Sequence, residues 1–169
     1  MKFMILATLT AAAPLALAAG SSADTLFYKN LAAGGMAEVD LGKLAEQKST
    51  DPKVKKFAEM MVKDHSAANE KLESLASSKQ ISLPKSLDSS HEATKTKLEA
   101  LSGDSFDKSY IESQLKDHEK TVILLKTEIS SGQDADAKAF AQSVLPTVEH
   151  HLQAVRTLAS EESAKSASR

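Results

Sequence analysis

The stretch MVKDHSAANEKL, residues 61–72, decides how this chain folds. Met61, His65, Ala68 and Leu72 recur at steps of four, three and four, which places them on one face of a helix. The same device returns at QLKDHEKTVILL, residues 114–125, where Leu115, His118, Val122 and Leu125 share a face. Extended outward, the first seam reads Val54, Phe57 or Ala58, Met61, His65, Ala68, Leu72, Leu75. The second reads Ile111, Leu115, His118, Val122, Leu125, Ile129. Two more segments obey the rule: Phe27, Leu31, Gly34, Glu38, Leu41, Ala45, and Ala137, Phe140 or Ala141, Val144, Val148, His151, Val155, Leu158. Such spacing is how helices pack in bundles. Each seam is apolar or small but for one Glu or His.

Boundary signals divide these seams into four long helices. The first predicted helix runs from Asp24, as N-cap, to Lys48. STDP then breaks the chain, and Asp51 caps a second helix with Pro52 at its first position, continuing to Lys79. ISLPKSLDSS is a linker, followed by a short helix with Leu87, His91, Thr94, Leu98 and Leu101 on one face. The third long helix spans Asp104 to Ser130, SSGQDAD turns the chain, and the fourth runs from Asp134 to Ala159. The tail 161–169 is too polar to pack and is expected to be disordered. The result is an all-α domain over residues 24–160: a four-helix bundle with a short extra helix in the connection between the second and third long helices. The tight connections make two antiparallel hairpins. The connection 81–103 either returns along the bundle or caps one end.

Composition narrows the function. With 41% apolar residues the chain can build a core, and its 4% aromatic content favours helices over a sandwich or barrel. A net charge of −2 provides no field for nucleic acid or an anionic membrane. There is no cysteine, hence no disulfide, thiolate metal site or cysteine nucleophile. MKFMILATLTAAAPLALAAG has a Lys, an apolar run and a small-x-small site, so residues 1–18 read as a signal peptide cleaved after Ala18. The run is too short to span a membrane and contains Pro14. The chain is therefore expected to be exported to the periplasm or beyond, with no transmembrane segment after cleavage and with a homo-oligomer or envelope partner left open.

Counted from the turns at 1.5 Å per residue, Glu38, His65 and His118 fall near one level, and His151 lies further along unless Pro146 disturbs its helix. Buried polar groups cost roughly 1–3 kcal/mol each when unsatisfied, so four of them are better clustered. Imidazole and carboxylate together suit one Zn, Fe, Mn or Ni ion, and Glu38, His65, His118 and His151 are the candidate ligands. Asp64, Asp117 and Glu149 or His150 flank the histidines about 100° around each helix, where they can support ligands from outside. His91 is incidental. Val62, Leu115 and Val148 stand where Glu-x-x-His di-iron bundles carry a carboxylate, which argues against a dinuclear oxidase. Phosphate loops, nucleophile elbows and H-E-x-x-H pairs are absent.

GGMAEVDLGKLAEQKSTDPKVKKFAEMMVKDHSAANEKL, LSGDSFDKSYIESQLKDHEKTV and FAQSVLPTVEHHLQA together resemble the bacterial domain-of-unknown-function family DUF4142. The resemblance rests on Glu38, Asp64-His65, Phe106-Asp107 with Tyr110 and His118, and Leu145-Pro146 with His151. It implies an exported, ferritin-like helical bundle and brings no reaction or cofactor. Two roles follow: a mid-core Glu/His site for one transition metal, or a structural or interaction module in which that layer only fixes helix packing. Either comes before an enzyme.

Overall fold

The computed structural model describes residues 21–167. Five helices follow one another: α1 (Ser22–Lys48), α2 (Pro52–Ser78), α3 (Ser89–Glu99), α4 (Gly103–Ser131) and α5 (Ala135–Ala167). Residues 1–18, read as a signal peptide, lie outside the described residues.

The helix ends show what starts and stops each rod. Asp51 accepts from the Lys53 amide with Pro52 in the first turn, as the sequence reading expects. Asp24, expected to be the cap of α1, is instead the third residue of a capping box. Ser21 is the N-cap, its hydroxyl accepting from the Asp24 amide while Asp24 Oδ2 accepts from the Ser21 amide at 2.9 Å. That frees Asp24 Oδ1 to accept from the Gln133 amide at 2.9 Å and tie the start of α1 to the α4–α5 turn. Gln80 closes α2 at φ 59°, a left-handed position that glycine fills more easily. Pro146 is held inside a continuous α5. That helix does not stop at Ala159: it runs on to Ala167 along the start of α2, where Lys53 meets Glu161 at 2.8 Å and Lys165 meets Asp51 at 2.7 Å.

Contacts between the helix ends give the topology. Lys79, just past α2, binds Asp134 and Asp136 at the start of α5. Lys48, at the end of α1, donates to the Glu99 carbonyl and lies 5.8 Å over the Phe106 ring of α4. So α2 finishes at the end of the bundle where α4 turns into α5, and α4 begins at the opposite end. The connection 79–102 therefore returns along the bundle's length, with α3 laid against α1 and α4 and its Leu98 buried. The long helices run up, down, down, up, with every neighbouring pair antiparallel.

The core is split in two. Leu41, Val54, Phe57, Met61, Phe106, Ile111 and Val155 belong to one apolar cluster, and Phe27, Leu72, Leu125, Ala137, Phe140 and Val148 to the other. On each long helix the seam's single Glu or His falls at the boundary between them.

Candidate metal centre

His65 on α2, His118 on α4 and His151 on α5 meet at that boundary. Their ring centroids form a near-equilateral triangle of 5.4, 5.5 and 5.6 Å. One possible ligand atom from each lies within 4.8 Å of the others. His151, which the helix count places furthest from the common level, joins the other two even though Pro146 leaves α5 unbroken. His118 and His151 are each 1% exposed, and His65 is half-buried.

Outward hydrogen bonds fix how the rings present themselves. His118 Nδ1 lies 2.9 Å from the Gln114 carbonyl, an acceptor only, so Nδ1 carries the proton and Nε2 is left with a lone pair. His151 Nε2 lies 3.0 Å from Asp64 Oδ2, again an acceptor, which leaves the lone pair on Nδ1. Those remaining atoms, His118 Nε2 and His151 Nδ1, are buried without any hydrogen-bond partner, and so is His65 Nε2. With two protons placed outward, the triad holds convergent acceptors short of donors, and it cannot satisfy itself. A cation can satisfy it. Protons are poorly suited: burial, reinforced by the other two imidazoles, pushes His65 down to about 3. Burial also lowers His151 to about 4, against the upward pull of Asp64.

The donor set fits a metal ion. Nitrogens sharing one ion at about 2.0–2.1 Å stand roughly 3.3–3.5 Å apart, so a small closing of the three rings from their present separation suffices. The Asp64–His151 contact is the carboxylate–histidine pairing that orients metal-binding imidazoles.

Glu38 stands apart from this set. Its Oε1 is 3.7 Å from His118 Nδ1, the edge of the ring already engaged by Gln114. Burial raises its carboxyl pKa, opposed by His118 and the Gln114 side chain. Among the flanking candidates Asp64 is the one hydrogen-bonded to a triad ring, while Asp117 pairs with Lys120 and Glu149 with Lys126. His150 is exposed, and His91 pairs with Asp88 at 2.8 Å. Sequence reasoning missed Gln114, fully buried one turn before His118. A polar residue four positions before a seam histidine was the available signal.

A cleft of about 300 Å³ reaches the triad from outside. His65, His151, Asp64 and Glu38 form its inner wall, and Leu31, Phe140 and Val144 are among its apolar sides. Gly34 and Gly35 border it. At Gly35 a Cβ would meet Asn69 Oδ1 at 2.0 Å, so close packing demands a glycine. At Gly34 nothing lies within 4 Å of that position. A glycine inside a helix is roughly 0.5–1 kcal/mol less stable than alanine, and no neighbour here requires it.

Among the described residues, no helix is long and apolar enough to cross a membrane. A comparison with curated protein sequences finds no match. Solved structures share the architecture. A DUF305 fragment from Deinococcus radiodurans superposes with a TM-score of 0.74 at 11% identity, covering 84% of this chain and 98% of its own. A DUF305 protein from Streptomyces coelicolor gives 0.70 at 17%, covering 84% and 93%. CopM in its Cu(II)-bound form gives 0.68 at 13%, covering 82% and 96%. At these identities the likeness shows the fold alone. The model of DUF4142, a domain of unknown function, matches residues 9–158, and the chain belongs to that family.

Proposed function

We propose that this bundle binds one transition metal ion through His65 Nε2, His118 Nε2 and His151 Nδ1, with Asp64 orienting His151 and Glu38 placed beside His118. One observation carries the reading: each of three clustered imidazoles keeps a buried nitrogen without a partner, on rings whose protons are committed outward or disfavoured by burial. A layer that served packing alone would be expected to satisfy its own hydrogen bonds.

The donors are all imidazole nitrogens, which suit Zn, Cu, Fe and Ni. Copper was not among the metals expected from the sequence. It enters because Cu(II) binds such donors most tightly of the divalent first-row ions. The fold neighbour CopM has also been solved in Cu(I)-, Cu(II)- and Ag-bound forms. With the signal peptide read at residues 1–18, the role that fits is metal handling or protection in the cell envelope, carried out by a binding protein.

Elemental analysis of untagged protein, purified after loading with Cu(II) or Zn(II), tests the reading. One ion per chain is expected, falling at least tenfold in His65→Ala, His118→Ala and His151→Ala. Metal content that ignores all three replacements would end it. Export is checked separately, by intact mass and fractionation of cells making the full chain.

A further inference from the structure

Three imidazoles leave a fourth coordination position, the arrangement of open centres as opposed to closed structural ones. What this position faces can be read from the cleft. Its inner wall is formed by His65 and His151, whereas His118 takes no part. The cleft therefore meets the centre on its His65 and His151 side, among residues of α1, α2, α4 and α5. Gly34 lies on that wall with empty space where its side chain would be, at a helical position where alanine is the more stable choice. Packing gives no reason for the glycine; keeping the passage clear does.

The wall also has a chemistry. Its sides are mostly apolar, with Leu31, Phe140 and Val144 among them, and Asn30, Ser143 and Thr147 add polar groups. Of the ionisable side chains besides histidine, Glu38 and Asp64 stand against triad rings. Lys71 is exposed on the cleft's border, six residues beyond His65, which is about 9 Å along the helix. The Asp64 carboxyl beside the centre disfavours an approaching anion, and the mostly apolar sides favour a small ring.

We propose that the cleft is a ligand-exchange port: it delivers to the metal's open position a small neutral nitrogen donor with an apolar body, of the imidazole class. The port rests on the metal reading above. Ligand exchange then proceeds without opening the bundle, and Gly34 is the residue that keeps the port clear.

Imidazole and azide are the probes, added to protein carrying one Co(II) per chain and followed by the visible d–d spectrum. In the wild type imidazole is expected to shift the band at a concentration at least tenfold below that needed for azide, with Co(II) retained. Gly34→Leu, which grows a side chain into the cleft, should still hold one Co(II) while needing at least tenfold more imidazole. It should also load Co(II) at least tenfold more slowly. Gly34→Ala should melt no lower than the wild type and fall between the wild type and Gly34→Leu in imidazole response and loading rate, which separates blockage from misfolding. Equal imidazole response and loading rate in the wild type and Gly34→Leu would overturn the port while leaving the metal site standing. So would azide binding more tightly than imidazole. Failure of the wild type to hold Co(II) in a histidine-dependent way would overturn both.

Discussion

Replacing His151 by Leu separates a metal centre from a packing layer by the sign of its effect. In the metal-free protein the change removes a buried, unpartnered Nδ1, worth roughly 1–3 kcal/mol in favour of the variant. It also removes the bond to Asp64, worth about 1.5–3 kcal/mol for a charged acceptor. That loss is reduced because the Asp64 side chain is 30% exposed and recovers water. Leucine is similar in size to histidine and a better helix former. The terms nearly cancel, so metal-free stability should change by no more than about 1 kcal/mol, or about 4 °C in Tm at this length. Metal reverses the balance. At a free concentration a hundredfold above Kd the wild type gains about 2.7 kcal/mol, which is about 5–11 °C, and the variant gains none. Differential scanning calorimetry of both proteins, with EDTA and with Cu(II) or Zn(II), gives the four values. A drop beyond about 8 °C in EDTA, with the same metal-induced rise in both proteins, would refute the reasoning and leave the histidines as packing residues.

Asp64→Asn keeps a hydrogen-bonding group but loses the charge that orients His151, and competition with a chromophoric chelator should show a 10–100-fold weaker metal affinity. The ring protons of His65 and His151 in metal-free protein should titrate by NMR below pH 5, near the values of about 3 and about 4 set chiefly by burial. Because those folded values lie below the unfolded 6.5, their contribution to stability is present above pH 6.5 and lost as pH falls. At the end of the bundle where α4 turns into α5 the sign is reversed. Burial, with Asp24 alongside, raises Glu128 to about 7, so its stabilising share is full below pH 4.5 and lost as pH rises through 7. Urea titrations should then find Glu128→Gln gaining about 2 kcal/mol on the wild type between pH 5 and 8, and a pH-independent difference would contradict this. Gln80→Gly relieves the left-handed backbone at the end of α2 and should raise stability by about 1 kcal/mol in the same assay.

Seam spacing reads out height and face, because the 3.5-residue repeat has to match between helices that share a core. That is why Glu38, His65, His118 and His151 could be named before any coordinates, and why each falls at the junction of the two apolar clusters. Spacing does not specify which way a ring turns within its layer. For His118 that choice is made by a backbone carbonyl, Gln114, which every sequence possesses at every position. For His151 it is made by Asp64, on another helix and 87 residues away. The same limit explains Glu38: it has the right level, but it approaches His118 from the edge the Gln114 carbonyl has already claimed, so it stands beside the triad rather than within it. The direction of the long connection was open for a related reason. A linker of this length can reach either end of the bundle, and ion pairs at the termini, Lys79 with Asp134 foremost, mark which end α2 reaches. The cleft lay furthest from the sequence of all. It arises where the four long helices fail to fill the space beside Gly34, and a gap between helices has no residue of its own to announce it. Gly34 was legible as a glycine on a seam, with Gly35 directly after it. Only the empty volume at one and the Asn69 side chain against the other tell them apart.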